Sequence, residues 1–233
     1  DPAFGAKGDG TTNDRAAFQA AMDAAIEAGL PLVVPQPPQF YRIALDPNNE
    51  RLLVHGDLAV VGEGRDTTTL RFTVQTTATG KKYAAFYVAG GVNFQLADLR
   101  LEEDLHQSVD QFEFAGVYFE SSSRQSACLV EGVDVEGFTH CLYSPSSGTD
   151  AADGELFLAV RDCDLHPWWT FCIALWTVPG GHKRLHLYDS YLHDNQNGHL
   201  VYYQPHNSVH VENTRFDGAS SWAFHFQGTE VAG

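Results

Sequence analysis

The run Leu96-Ala97-Asp98-Leu99-Arg100-Leu101-Glu102 recurs in pattern over Val130–Glu136, Val160–His166, Leu187–His193 and Val211–Asp217. Successive starts lie 34, 30, 27 and 24 residues apart. Strands that keep their length while one loop per unit varies give such spacing, the mark of a solenoid. The first, fourth and sixth residues are mostly apolar or small, as in Val160, Cys163 and Leu165, and predict an interior face. The third is usually Asp or Asn and predicts a bend. A second strand follows in each unit, at Val117-Tyr118-Phe119, Leu142-Tyr143-Ser144, Ile173-Ala174-Leu175, Leu200-Val201-Tyr202 and Phe224-His225-Phe226. Alternation sets the first residue of each triplet inside and the middle one outside. The expected fold is therefore an all-β solenoid, a single-stranded right-handed parallel β-helix whose coils pair at about 4.8 Å per rung. A β-sandwich also uses many short strands, but does not require similar residues in the same slots of successive units.

Upstream of the repeats, Asn13 and Asp14 are placed to cap a helix over about 14–28. Its apolar residues Phe18, Met22, Ala25 and Ile26 share one face, and Gly29 ends it. Shorter β-rich runs follow, such as Tyr41-Arg42-Ile43 and Leu70-Arg71-Phe72. The predicted organisation is one domain over 1–233, with a cap over 1–31 that carries the helix and rungs over 32–233.

Thirty acidic residues against 14 basic ones give a formal charge of −16, and Lys/Arg clusters go no further than pairs. That balance argues against nucleic acid or an anionic membrane as partner. No apolar run approaches the roughly 20 residues a membrane span requires. The four cysteines, Cys128, Cys141, Cys163 and Cys172, lack zinc-site spacing. Cys128 and Cys163 are expected to be buried unpaired thiols, whereas Cys141 and Cys172, in neighbouring slots, lie within reach of a disulfide.

Phe4-Gly5-Ala6-Lys7-Gly8-Asp9-Gly10-Thr11-Thr12-Asn13-Asp14, followed by Ala16-Ala17-Phe18-Gln19-Ala20-Ala21, resembles the N-terminal signature of the pectate-lyase-like β-helix superfamily. Val60-Val61-Gly62-Glu63-Gly64 with Thr68–Phe72 is similar to the early-rung pattern of that family. The resemblance implies the β-helix and a polysaccharide or oligosaccharide partner. It also implies export from the cell, a secreted or extracellular location. It does not choose between polysaccharide lyases, glycoside hydrolases, uronate epimerases and phage tailspikes, all of which share the opening. The Asn-Thr-Asp, Asp-Asp and Arg-Ile-Lys motifs of the polygalacturonases are absent, and only Asn197-Gly198-His199 is similar to their Gly-His-Gly. The Asp-Pro-His of the alginate epimerases has Gln204-Pro205-His206 as its nearest counterpart.

Aligning the second strands gives three outward columns in which Trp176, His199, Tyr203 and His225 surround a floor of Ala174 and Val201. Rings around a small-residue floor suit sugar stacking. His199 or His225 is the candidate base, Tyr203 the acid, and Asp194 a carboxylate on the loop leading into the groove. A hydrolase would need a second carboxyl group, with Asp162, Asp164, Asp189 and Asp217 also available. Trp176, Gln227, Tyr143 and Glu120 are the substrate-binding candidates. No Lys or Arg falls in these columns to neutralise a uronate. A lyase or glycoside hydrolase is the leading reading, against a non-catalytic β-helix such as a tailspike or adhesin module that grips glycans.

On another wall Asp134 and Asp164 share a column with Arg100, which suits an ion-pair stack or, alternatively, a Ca²⁺ site. His186 and His210 form a similar pair, read as surface histidines rather than a metal site. The six residues after Gln227 are too few to cover a coil end lined by Phe216, Phe224 and Phe226. The chain is thus expected to be the N-terminal part of a longer β-helix, or to be capped by a partner subunit.

Overall fold

The computed structural model describes residues 4–46, 48, 50–74, 82–104, 113–122, 124–145, 155–176, 182–203 and 208–226. Three parallel sheets wrap one interior, and each coil contributes one strand to each sheet in turn. Wall I has eight strands, from Asp9–Asn13 through Thr69–Val74, Arg100–Glu103, Asp134–Glu136 and Asp164–His166 to Tyr191–Leu192 and Arg215–Phe216. Wall II has seven and includes Lys82–Val88, Glu113–Phe119, His140–Ser144, Phe171–Leu175, Val201–Tyr203 and Phe224–Phe226. Wall III, also of seven, includes Phe94–Ala97, Ser126–Glu131, Glu155–Arg161, His182–Tyr188 and Ser208–Glu212. This is the parallel β-helix that the repeats predict.

The bend between walls III and I falls on the predicted third position. Asp98, Asp162, Asp189 and Asn213 have φ between 48° and 54°, and Gly132, in the same slot, has φ 64°. Asp and Asn tolerate this left-handed conformation better than other side-chain-bearing residues, which is why they recur there. Interior ladders follow from the same pattern: Val130, Val160 and Leu187 are fully buried on wall III, and Val135, Leu165 and Leu192 on wall I. The helix runs over Arg15–Ala28 and ends at Gly29, whose φ of 64° closes it with Leu30 N–H donating to Ala25 O at 3.0 Å. Asn13 Oδ1 takes the Arg15 N–H, while the Asp14 carboxylate turns back to accept Lys7 and Gly8 N–H. The strand Asp9–Asn13 lies within the predicted cap and begins wall I.

Wall II departs from simple alternation. Its interior takes two consecutive residues at the corner after wall I, Cys141-Leu142, Cys172-Ile173 and Leu200-Val201, all fully buried. Ile173 pairs with Val201 and Ala174 with Tyr202, one residue later than the sequence alignment sets them. Cys141 and Cys172 therefore face inward, their S–H groups donating to Val135 O at 3.5 Å and Leu165 O at 3.2 Å. All four cysteines are buried free thiols.

Lys183, 2% exposed, enters the interior at the start of its wall III strand. Its Nζ donates to Ser121 Oγ at 3.1 Å, Ser144 O at 3.2 Å, Pro145 O at 3.0 Å and Trp176 O. One side chain thus ties the wall II to wall III corners of successive coils. Among the described residues no helix is long and apolar enough to cross a membrane.

Candidate functional site

The outer face of wall II is a stripe of rings that runs along the solenoid axis. Tyr87 stacks on Tyr118 with centroids 4.8 Å apart, and Tyr118 meets Tyr143 edge-on at 5.6 Å. Tyr143 then meets Trp176 at 5.6 Å, and Trp176 meets Tyr202 at 5.8 Å. Tyr202 stacks on His225 at 5.0 Å, and His225 on His199 at 4.4 Å. Trp222, 62% exposed, closes the far end against both imidazoles. In-register parallel pairing forces this, because equal slots of successive coils sit one above the other.

The structure brings Trp176, His199 and His225 together but not all of their predicted companions. Tyr203 pairs with Leu175 and packs against the core, so the register difference turns it inward and gives its outward place to Tyr202. Val201 is fully buried in the interior and Ala174 lies beneath Trp176, Phe171 and Tyr202, so the small-residue floor is filled by rings. Tyr143 is only 2% exposed. It supports the stripe from beneath rather than offering a free face. The column preceding the stripe is Ala115, His140 and Phe171. Glu120 accepts Tyr87 Oη–H at 2.7 Å and Gly90 N–H at 3.0 Å, which anchors one edge of the stripe. Gln227 and the Gln204-Pro205-His206 segment lie outside the described residues.

Burial, and then the neighbouring His225, push the His199 imidazole below its usual pKa. The Nδ1 atoms of both histidines lack a hydrogen-bond partner among the described residues. Both Nδ1 atoms are buried, and the charged form of His199 is disfavoured there.

Asp194 belongs to a different cluster, on wall I. Asp134 pairs with Arg100 on one side and Asp164 on the other. Arg100 Nη2 lies 2.7 Å from Asp134 Oδ2, and His166 Nε2 lies 3.0 Å from Asp134 Oδ1. One coil further on, His193 Nε2 is 2.8 Å from Asp164 Oδ1 and its Nδ1 is 2.7 Å from Asp194 Oδ2. The His166 and His193 rings stack at 4.9 Å. Burial opposes the charged forms, yet the His166 contact and Arg100 hold the Asp134 carboxyl below its usual range, and Asp134 raises His166. The expected Arg100–Asp134 ion pair is present; the stacked imidazoles were not anticipated. The signal for them was the seventh position of the repeat, which reads Glu102, Glu136, His166, His193 and Asp217.

Wall III carries the His186–His210 pair, with centroids 5.5 Å apart, and a shallow, mostly apolar hollow of about 430 Å³ over Ala59, Gln95, Leu129 and Phe157.

No protein-family model and no curated protein matches the sequence. Among solved structures, the chain is similar to the Dettilon tailspike protein gp208, with a TM-score of 0.59 and 17% identity over 100% of this chain and 47% of that one. It thus spans about half the length of that tailspike. It is also similar to a candidate glycosyl hydrolase from Parabacteroides merdae, with a TM-score of 0.50 and 11% identity over 95% of this chain and 93% of that one. At these identities the likeness is one of fold, the parallel β-helix.

Proposed function

We propose that this β-helix acts on a polysaccharide, which lies along wall II with its reacting residue at the His199–His225 pair. The observation that carries the reading is the axial stripe from Tyr87 to Trp222, rings along an outer wall that end in two stacked imidazoles. Aromatic faces bind sugar C–H faces, and imidazole edges supply the polar contacts that orient them. The stripe spans several rungs at about 4.8 Å each, a run of surface suited to an extended polymer rather than to a single sugar.

Proton abstraction suits this site better than two-carboxylate hydrolysis. Burial and His225 disfavour the charged form of His199, as a base requires, whereas Glu120 is engaged by Tyr87 and Gly90. In this reading His199 takes the proton from the sugar carbon and His225 delivers one, to the departing glycosidic oxygen in a lyase or to the opposite face in an epimerase. The tailspike and hydrolase descriptions of the two structural relatives agree with a glycan partner and do not choose the reaction.

The test is a panel of neutral and uronate-containing polysaccharides. Unsaturated product is followed by absorbance and C-5 inversion by NMR, with His199→Ala, His225→Ala and Trp176→Ala alongside. Turnover abolished by the histidine changes, with binding weakened at least tenfold by Trp176→Ala, is the expected result. Binding without turnover would leave a glycan-gripping module, and absence of binding to every polymer would overturn the reading.

A further inference from the structure

The cluster on wall I has no part in the site just proposed, and its geometry asks for a different occupant. Asp164 and His166 lie two residues apart on one strand and so project from the same face. The coil after it continues Tyr191-Leu192 into His193, which brings the second imidazole over the first. One ligand atom from each of Asp164, His166 and His193 lies within 4.8 Å of the other two. Metal–ligand bonds of about 2.0–2.1 Å arranged tetrahedrally place ligand atoms about 3.4 Å apart. Ligation therefore requires the three atoms to draw closer and the two stacked rings to turn out of parallel.

The surroundings have the form that metal sites require. A metal-ligating histidine characteristically gives its other ring N–H to a carboxylate, which fixes the tautomer and aims the free nitrogen. His193 Nδ1 meets Asp194 in this way at 2.7 Å while Nε2 points at Asp164. Behind His166, Asp134 is held in turn by Arg100. Asp134, Glu136, Asp164 and Asp194 gather around the two imidazoles, with Arg100 paired to Asp134 and the Arg65 guanidinium close enough to act on it. The excess of negative charge favours a cation. The cluster borders a cleft of about 150 Å³ lined by Glu136, His166 and Asp194, which provides access and room for a water or a ligand oxygen.

We propose that Asp164, His166 and His193 form a binding site for a first-row divalent transition metal, Zn²⁺ foremost, with its fourth position open to water. The metal takes the place now held by the hydrogen between His193 Nε2 and Asp164 Oδ1, and binding releases that proton to solvent. Two imidazoles and a carboxylate suit zinc, whereas Ca²⁺ prefers an all-oxygen shell. Glu136, which with Asp134 and His166 forms a second such group, is the nearest additional donor.

The experiment strips the protein with EDTA, dialyses it, and titrates it with Zn²⁺ by calorimetry, with metal per chain counted by mass spectrometry. Co²⁺ serves as an optical probe, its visible absorption reporting coordination number. One Zn²⁺ per chain is expected, with four-coordinate Co²⁺ absorption. His193→Gln should lose binding at least 100-fold, and Asp194→Asn, which only orients His193, should lose about 10- to 100-fold. The double variant His186→Gln/His210→Gln on wall III should bind as the unmodified chain does. Far-ultraviolet circular dichroism shows whether each variant is folded, and Asp194→Asn serves as the test should His193→Gln fail to fold. Failure to retain zinc, retention unaffected by changes at His193 and Asp194, loss caused instead by the wall III variant, or selective uptake of Ca²⁺ would each overturn the assignment. None of these outcomes depends on polysaccharide turnover.

Discussion

Lys183→Met tests whether a buried polar tie holds the coils together. The thioether fills much of the same volume but cannot donate to Ser121 Oγ, Ser144 O, Pro145 O or Trp176 O. Ser144 O keeps the Trp176 N–H at 2.8 Å, and Pro145 O keeps the Ser121 hydroxyl at 2.5 Å. Trp176 O loses the donor it has here. Hydrogen bonds from a charged group contribute about 1.5–3 kcal/mol net, and a newly unsatisfied buried carbonyl costs about 1–3 kcal/mol. Because two of the three carbonyls retain a partner, the expected loss is at the low end of the sum, about 3 kcal/mol. For a chain of this length that is a fall in Tm of roughly 6–12 °C. Urea unfolding at pH 7, followed by circular dichroism and by tryptophan fluorescence, measures it. A loss below about 1 kcal/mol with an unchanged m-value would show that the tie is not worth more than a methylene chain in the same space.

At the bend residue Asp189, exposed with φ 50°, Asp189→Ala should cost about 1 kcal/mol while Asp189→Gly is neutral or stabilising; equal unfolding midpoints would remove backbone strain as the reason for the Asp/Asn preference. Leu165→Ala, at a fully buried position of the wall I ladder, should cost about 3 kcal/mol by chemical denaturation. The Asp134–His166 pair sets a pH window. A raised His166 stabilises below its usual 6.5 and loses that contribution as pH climbs through its folded value, and a lowered Asp134 stabilises above its usual 3.8 and loses it as pH falls through its own. His166→Gln should therefore be most destabilising at about pH 5, on the order of 1 kcal/mol, and less so at about pH 9 in EDTA-containing buffer; a penalty that grows with pH contradicts the pairing. Burial pushes the Cys128 and Cys163 thiols up to about 12. A thiol reagent at pH 8 should thus find no reactive cysteine in the native protein and four after unfolding, and two would indicate a Cys141–Cys172 disulfide.

Much of the solenoid is legible because its interior slots are filled by kind. Val160-Cys163-Leu165 and Leu187-Ser190-Leu192 repeat the same small or apolar positions, and Asp98, Asp162, Asp189 and Asn213 mark the bend. The helix is legible for the same reason, from Phe18 and Met22 on one face and Gly29 at its end. Wall II is less so. Cys172-Ile173 and Leu200-Val201 are adjacent buried pairs, and an alternating pattern has no means of expressing two successive inward residues. In Leu200-Val201-Tyr202-Tyr203 each apolar residue is followed by another and each ring by another, so a slip of one residue leaves the hydrophobicity unchanged. That slip exchanged Tyr203 for Tyr202 in the expected site. Asp194 is near in sequence to the wall II strand, whereas its partner His193 directly follows a wall I strand. Chain order along a coil and position on a wall are different coordinates.

The separation of inward and outward slots has a consequence for how such a surface can change. A ring on wall II touches its counterparts one coil above and below, as Tyr118 touches Tyr87 and Tyr143, while its inward neighbour Val117 belongs to another ladder. Outward residues can therefore be exchanged one rung at a time with the interior ladder undisturbed. The scaffold behaves as a display lattice in which three walls drift independently, so ring chemistry can be edited on one face while charge is edited on another, and neither edit has to be reconciled with the packing that keeps the coil wound.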